Sequence, residues 1–401
     1  MTQRIAVLGA TGSIGDSTLA LLAAHATDFE VYALSGHSRL DKLFELCQRF
    51  KPQRVAVPSA AVDSFAQRLQ AAKLDIDVVG GAAGIVDIAQ DSQVDTVVAA
   101  IVGAAGLPST LAAAKAGKRI LLANKEALVM AGPLMMQAVK DNNATLLPID
   151  SEHNAIFQCL PRAIQQDNSQ IHQQQHGVRK LWLTASGGPF LHQSYEQMQA
   201  ASVAQAVNHP NWSMGQKISI DSATMMNKGL ELIEAAHLFD LPESKIEVVM
   251  HPQSIIHSMV EYSDGSVLAQ LGSPDMKTPI AHALAYPERI ASGVQPLDLF
   301  ALAALEFTRP DLEKFVCLRL AREAMQAGLL ATIALNAANE IAVAAFIDEQ
   351  VKLTDIALIN EQTLDNMAQQ SLQSPKHIDD IIAVDQLARQ LATAQIQALL
   401  A

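Results

Sequence analysis

Cysteine is scarce: Cys47, Cys159 and Cys317 are the only three, set far apart. They cannot build a disulfide framework, and without a C-x-x-C pair they offer no zinc site. Basic charge is also short, with 28 Lys and Arg against 41 Asp and Glu, a formal net charge of −13. No basic stripe is available to neutralise a phosphate backbone. With 2 Trp and 4 Tyr there is no aromatic stacking platform either, so nucleic acid is excluded as a partner. Long hydrophobic runs are missing as well. The most apolar stretch, residues 99–123, is interrupted by Pro108, Lys115, Lys118 and Arg119, and no membrane-spanning segment is expected. The opening Met1-Thr-Gln-Arg4 runs straight into Ile5-Ala-Val-Leu8 without a cleavable-signal pattern, which makes a cytoplasmic location the expectation. What is abundant is hydrophobic residues, 50% of the 401, against 17% charged. That balance excludes disorder and predicts two or three packed domains at about 150 residues each.

Residues 1–150 alternate short β-branched runs with alanine-rich helical patterns. Strands are predicted at 5–8, 31–34, 54–57, 78–79, 96–99, 120–122 and 145–149, with helices between. Such alternation predicts buried parallel strands in a doubly wound, Rossmann-like α/β domain. Residues 151–285 read as an α+β domain, with strands at 181–184, 217–220, 247–250, 254–262 and 266–271 and a helix over 224–238. Ser263-Asp-Gly265 is a hairpin signal. The Gln- and His-rich stretch 165–176 predicts a solvated loop or insertion. Pro287, Pro296 and Pro310 mark 286–312 as a linker. Residues 313–401 read as a C-terminal α-helical bundle, with Gly328 stopping one helix, Thr332 capping the next, and Pro375 dividing two later ones.

The first strand enters Gly9-Ala-Thr-Gly12-Ser-Ile-Gly15 and then a helical pattern. Glycines at such a strand-to-helix turn let a pyrophosphate approach the backbone and rest on a helix N-terminus. The plainer alternative is a glycine turn with no nucleotide. Where an NAD enzyme places an acid after the second strand, this chain has Ser35-Gly36-His37-Ser38-Arg39. Arg39, helped by Ser38 and His37, suits a 2′-phosphate, which favours NADP. Asn124-Lys125-Glu126 follows the sixth strand, where open α/β sheets bind ligands. Lys125 can meet a substrate oxygen there, while Asn124 and Glu126 bond the nicotinamide half; an ordinary surface turn explains the same three residues.

Next comes Pro148-Ile-Asp150-Ser151-Glu152-His153. In an extended chain Asp150 and Glu152 would share one side. Two close carboxylates call for a cation, and oxygen ligands suit Mg²⁺ or Mn²⁺. Helix capping by Asp150 or Ser151 explains the same residues without a metal. In Asp221-Ser222-Ala-Thr-Met-Met-Asn227-Lys228-Gly-Leu-Glu231, helical spacing brings Asn227, Lys228 and Glu231 to one face. This group fits a metal beside an anionic substrate, although an isolated surface Lys–Glu pair looks the same. Ser186-Gly187-Gly188 follows a predicted strand, and Ser222 falls at a predicted strand-to-helix junction; both suit an anion. Asn208-His209-Pro210-Asn211-Trp212-Ser213-Met214-Gly215 reads as a lid, with Trp212 excluding water and His209 donating to a phosphate, or as a static loop fixed by a buried Trp212. His251 and His257 read as structural.

Taken together, the GATGSIG, ANKE, IDSEHNAIFQ, SGGPF, NHPNWSMGQKISIDSATMMNKGLE and HPQSIIHSMVEYSDGSVLAQLGSPDMKTPI segments resemble the 1-deoxy-D-xylulose 5-phosphate reductoisomerase family over residues 4–285. The resemblance implies an NADPH- and metal-dependent rearrangement and reduction of 1-deoxy-D-xylulose 5-phosphate to 2-C-methyl-D-erythritol 4-phosphate, a step of the non-mevalonate isoprenoid route. It implies Mg²⁺ or Mn²⁺, with Co²⁺ as a further candidate, and a homodimer. Carried over residue by residue, Asp150, Glu152 and Glu231 bind the metal and, with Lys125, carry the catalytic roles. Lys125, Ser151, Glu152, Ser186, His209, Trp212, Met214, Ser222, Asn227, Lys228 and Glu231 meet the substrate. Gly9, Thr11, Gly12, Ser13, Ile14, Gly36, Ser38, Arg39, Asn124, Glu126 and Gly215 meet NADPH. One departure stands out: after the second strand the family often has Gly-Lys-Asn or Gly-Ser-Asn, and the Asn position falls on Arg39.

Two rival readings stay open on the residues alone. A plain NADP-dependent dehydrogenase would keep the glycine turn and have no need of three carboxylates. A non-catalytic NADPH-binding scaffold would leave the polar groups without a purpose.

Overall fold

The computed structural model describes residues 2–212, 214–302 and 304–400. Seven short runs pair as one parallel sheet, buried at its centre and partly exposed at its edge strand β4: β1 (Gln3–Leu8), β2 (Phe29–Ser35), β3 (Arg54–Val57), β4 (Asp77–Gly80), β5 (Thr96–Ala99), β6 (Arg119–Leu122) and β7 (Thr145–Pro148). Their order is β4-β3-β2-β1-β5-β6-β7. The chain thus winds outward one way from β1 and then the other, and ligands bind where such an order reverses. Val97, Val98, Ile120, Leu121 and Leu122 have no exposed surface, each such side chain contributing roughly 1.5–3 kcal/mol. The helices between are α1 (Ser13–Ala24), α2 (Leu40–Phe50), α3 (Val62–Ala71), α4 (Gly81–Gln90), α5 (Leu107–Lys115) and α6 (Lys125–Asp141).

After α7 (Ser151–Cys159), α8 (Arg162–Gln166), β8 (Val178–Ala185), α9 (Tyr195–Gln199), α10 (Val203–Ala206), α11 (Gln216–Ala223) and α12 (Met226–Leu238) follow. Then come β9 (Ile246–Met250), β10 (Ile256–Tyr262), β11 (Val267–Leu271) and α13 (Lys277–Ala285). The four strands form a mixed sheet, β11-β10-β8-β9, with β10 antiparallel to both neighbours and β8 parallel to β9. The C-terminal part is helical: α14 (Val316–Ala327), α15 (Leu329–Ile347), α16 (Asp355–Ala368) and α17 (Ile378–Leu400). The chain separates into two compact units. One runs to Ala127 and includes Met135–Asn154 and Asp275–Val294; the other holds Leu128–Leu134, Ala155–Pro274 and Gln295 onward.

The expected α/β sheet, the α+β region and the helical bundle are all present. Several local expectations need correction. Residues 217–220, expected as a strand, lie inside α11. Ile218-Ser-Ile220 fits a period of two, but Lys217 and Asp221 pair at i, i+4, as a helix requires. Ser222 therefore sits in the last turn of α11 and not at a strand end. Thr332 does not cap α15: Gly328, at φ +101°, ends α14 and begins α15, and the Thr332 hydroxyl donates to the Leu329 carbonyl inside the helix. Residues 165–176 form the end of α8 and two 3₁₀ turns, with Ile171 buried. Among the described residues, the helix long and apolar enough to cross a membrane is α15, not residues 99–123; its mean hydropathy reaches 1.6, and two-thirds of that window is buried. It is the central helix of the bundle, packed between α16 and α17.

Candidate active site

The glycine turn is built as its spacing implies. Gly9 has φ +89°, and a Cβ there would lie 2.5 Å from the Ala100 carbonyl oxygen. A Cβ on Gly15 would lie 2.3 Å from the Ala10 carbonyl oxygen. Gly12, the N-cap of α1, would meet nothing closer than 3.4 Å. Gly9 and Gly15 thus serve close packing, whereas a Cβ on Gly12 would make only an ordinary contact, at a helix N-terminus that no side chain caps. That is a surface fitted to a pyrophosphate. Beside it, Ser35 Oγ receives the Gly9 N–H at 2.9 Å. Gly36 opens the next loop, and a Cβ there would press on Leu43 at 3.0 Å. His37, Ser38 and Arg39 are exposed.

Parallel register aligns the carboxyl ends of the central strands: Leu8 faces Ala99, Ala99 faces Leu122, and Leu122 faces Pro148. The residues just beyond β6 and β7 therefore emerge side by side. Lys125 Nζ lies 2.7 Å from Asp150 Oδ2, with both side chains nearly buried. Burial works to raise the Asp150 carboxyl, but the Lys125 ammonium and His153 outweigh it and hold it well below the usual carboxylate range. His153 Nδ1 stands 3.7 Å from Asp150 Oδ1. Its i, i+3 spacing from Asp150 was legible in the sequence, which assigned His153 no role.

The extended alternation expected for Asp150 and Glu152 is not how they are presented. The strand ends at Pro148 and α7 begins at Ser151, so Glu152 sits in a first helical turn. The Asp150 carbonyl accepts the Asn154 N–H at 2.9 Å, so Asp150 occupies the N-cap position with its carboxylate turned to Lys125. Ser151 Oγ donates to Glu152 Oε2 at 2.5 Å. Asn124 caps α6 by accepting the Ala127 N–H at 2.7 Å, while its amide donates to the carbonyls of Ile101 and Gly103. Its side chain is committed to shaping that turn. Glu126 is buried one residue beyond Lys125.

The other unit holds a second polar group. On α12, Glu231 accepts hydrogen bonds from Asn227 and Lys228, and Lys228 and Glu231 are buried. The predicted shared face exists. The loop after β8 bends through Gly187 and Gly188, at φ +82° and +63°, and a Gly188 Cβ would lie 2.8 Å from the Ser222 carbonyl oxygen. The loop of Ser186 and the turn of Ser222 are thus in close approach. His209 Nε2 is 2.9 Å from Ser186 Oγ, and its Nδ1 accepts the N–H groups of Asn211 and Trp212 at 3.2 and 3.0 Å. Burial pushes the His209 imidazole down to about 4. Asn211 ties the same loop to the Pro252 carbonyl and the Ser254 hydroxyl at 2.7 and 3.0 Å. Trp212 sits near the His257 ring, with centroids 6.0 Å apart. Met214 is half-buried and Gly215, the N-cap of α11, is exposed with an ordinary φ of −64°. His251 is structural as expected: its Nε2 accepts the Ile255 and Ile256 N–H groups, and it stacks on Phe307.

Three family profiles match the chain. Residues 5–132 match 1-deoxy-D-xylulose 5-phosphate reductoisomerase, residues 146–239 its C-terminal domain, and residues 271–391 a further DXP reductoisomerase C-terminal domain. The 1-deoxy-D-xylulose 5-phosphate reductoisomerase of Psychrobacter cryohalolentis is 77% identical over 390 residues, 97% of each chain. That of Acinetobacter baylyi is 56% identical over 394 residues, 98% of each. Among solved structures, a DOX-P reductoisomerase in complex with NADPH, fosmidomycin and magnesium shares 60% identity at a TM-score of 0.97, covering 99% of both chains. The enzyme of Zymomonas mobilis in complex with NADPH shares 45% at 0.89, again over 99% of both.

Proposed function

The chain belongs to the 1-deoxy-D-xylulose 5-phosphate reductoisomerase family, and from that premise we propose how its residues divide the work. It is an NADP-dependent oxidoreductase that rearranges and reduces 1-deoxy-D-xylulose 5-phosphate to 2-C-methyl-D-erythritol 4-phosphate, on the route to isoprenoid precursors, with NADPH and Mg²⁺.

The glycine turn at Gly9, Thr11, Gly12, Ser13 and Ile14 takes the pyrophosphate, and Gly36, Ser38 and Arg39 take the 2′-phosphate. Asn124 supports the turn beside the nicotinamide half, with Glu126 and Gly215 as further contacts. NADPH supplies the hydride. Asp150, Glu152 and Glu231 hold the metal. The fit is chemical: Asp150 is kept ionised although buried, and hard oxygen donors suit Mg²⁺ and also Mn²⁺. The ion supplies Lewis acidity and a template for two substrate oxygens.

Lys125 places an ammonium next to Asp150, and its N–H donors serve the oxygen that gains negative charge as the carbon skeleton rearranges. Ser151 orients Glu152 through its 2.5 Å hydrogen bond. Ser186, Ser222, Asn227 and Lys228 grip the phosphate, with His209 acting on it through the Ser186 hydroxyl, and this holds the reacting carbons in place. Trp212 and Met214 cover the substrate and keep water away. The carrying observation is the Lys125–Asp150 pair, set by strand register at the carboxyl edge of the sheet that bears the glycine turn. Three carboxylates also favour this reading over a plain dehydrogenase.

The same proposal includes a homodimer and a cytoplasmic location. β11 is an edge strand with Val267, Leu268 and Leu271 at 49%, 50% and 38% exposure, and such an edge pairs readily with a second copy. Both NADPH and the sugar phosphate are charged solutes of the aqueous phase. The deciding experiment follows NADPH absorbance with 1-deoxy-D-xylulose 5-phosphate after chelation, then with Mg²⁺ or Mn²⁺ restored. Consumption that returns only with metal and yields the branched polyol phosphate is expected. Metal-independent consumption would point to an ordinary dehydrogenase, and none at all would overturn the assignment.

A further inference from the structure

One sealed carboxylate takes no part in the chemistry above. Asp221, 1% exposed on α11, receives Lys217 Nζ at 2.8 Å on Oδ2 and the Asn339 amide at 2.7 Å on Oδ1. Asn339 lies on α15 and is itself reached by the Asn360 amide of α16 at 3.4 Å; neither asparagine has exposed surface. Burying a charge is costly unless it is paired and its lone pairs are filled. An alanine-rich helix such as α15 packs well with apolar partners alone, so this polar chain contributes direction. An amide bonded to one carboxylate oxygen, with an ammonium on the other, fixes the rotation and the axial position of α11 against α15.

The far end of α11 is where that matters. The Asp221 carbonyl accepts the Thr224 hydroxyl at 3.2 Å, and the Ser222 carbonyl accepts the Met225 N–H at 3.1 Å. Met225 turns the chain at φ +62°, and α12 begins immediately with Met226, Asn227 and Lys228. Gly188, from the loop of Ser186, packs so tightly on the Ser222 carbonyl that a Cβ would not fit. A displaced α11 would move Ser222, the start of α12 and the Ser186 loop together. We propose that Asn339 is a positioning residue for the phosphate end of the substrate: through Asp221 it sets the turn that carries Ser222, Asn227 and Lys228. The proposal rests on the assignment of those residues to the phosphate. It gives the C-terminal helices, which supply no group to the reaction, a defined part in substrate affinity.

The test compares Asn339→Asp, Asp221→Asn, the double exchange Asp221→Asn/Asn339→Asp and Lys228→Gln, all as full chains with Mg²⁺. Asn339→Asp sets two buried carboxylates against each other, whereas the double exchange restores one carboxylate and one amide. A misplacement of about 1 Å costs up to about 100-fold, so Asn339→Asp should raise the KM for the sugar phosphate at least about 10-fold. The KM for NADPH should stay within about twofold, and the double exchange should recover most of the loss. If Asn339→Asp does not fold, Asn339→Ser replaces it with the same thresholds. A folded variant with unchanged substrate KM, an equal rise in both KM values, or no recovery in the exchange overturns the proposal. Lys228→Gln separates the two layers. Unchanged substrate KM there means the phosphate assignment itself has failed, while a rise there without one in Asn339→Asp means only the positioning has failed.

Discussion

His209 Nε2 stands 2.9 Å from Ser186 Oγ, and the opposite ring nitrogen accepts two backbone N–H groups. An unprotonated Nδ1 leaves the ring proton on Nε2, so His209 donates to Ser186. The Ser186 oxygen, which also receives the Gly188 N–H at 3.1 Å, is thereby an acceptor twice over. Its own proton is left to point at an anion. His209 thus fixes both the loop of Trp212 and the direction of the Ser186 hydroxyl. Replacing His209 by Gln keeps a donor but cannot accept both N–H groups in the same geometry. The expected result is a fall in kcat/KM for the sugar phosphate of about 10–100-fold, near the value of one or two charge-assisted hydrogen bonds. NADPH affinity, read by fluorescence titration, should be unchanged.

The three glycines of the first turn should separate into two behaviours. Alanine at Gly9 or Gly15 drives a Cβ to 2.5 or 2.3 Å from a backbone carbonyl oxygen, so the turn itself must shift. Both variants should lose several degrees of Tm together with NADPH binding. Alanine at Gly12 meets only a 3.4 Å contact and should melt as the parent does. If the pyrophosphate rests there, Gly12→Ala should still lose at least about 10-fold in NADPH affinity, since each 1.4 kcal/mol is tenfold. Equal Tm and equal affinity would place the cofactor elsewhere.

Arg39 is the N-cap residue of α2 and is exposed; the proposed function gives it the 2′-phosphate. Arg39→Ala should weaken NADPH by about 10–100-fold, the range of a charged hydrogen-bonded pair, while leaving the poorer NADH nearly unchanged. The ratio of kcat/KM for the two nucleotides reads this out directly. A uniform loss for both would assign Arg39 to the loop's structure.

Much of this site was legible because its signals are local. The runs Val97–Val98 and Ile120–Leu122 are apolar on both faces, as buried parallel strands must be, and the residues after them fall at the ligand edge by topology alone. Asn227, Lys228 and Glu231 share a face through helical spacing. What was hidden depends on partners distant in sequence or on competing periods. Ile218-Ser-Ile220 satisfies strand alternation, and only its packing makes it helix. Gly188 against Ser222 and Asn339 against Asp221 join segments whose spacing carries no motif. The protonation of His209 and the commitment of the Asn124 amide follow from hydrogen bonds that no residue pattern encodes.

Acid should expose the buried histidines. Burial pushes His209, His257 and His282 each down to about 4, and lowers His237 as well. A histidine neutral in the fold takes up its proton on unfolding once the pH drops below its ordinary value of about 6.5. The unfolded chain then binds more protons than the folded one, and stability falls as pH falls. The loss should begin near pH 6.5 and continue to about 4, with an upper bound of roughly 3 kcal/mol per histidine. His282, whose Nδ1 lies 3.1 Å from the Asn154 amide, is the one to vary, because it is outside the proposed substrate contacts. His282→Gln should lower Tm at pH 7.5 but flatten its dependence between pH 6.5 and 4.5 relative to the parent. A parallel decline in both proteins would show that His282 titrates alike in the folded and unfolded chain, so that burial does not hold it neutral.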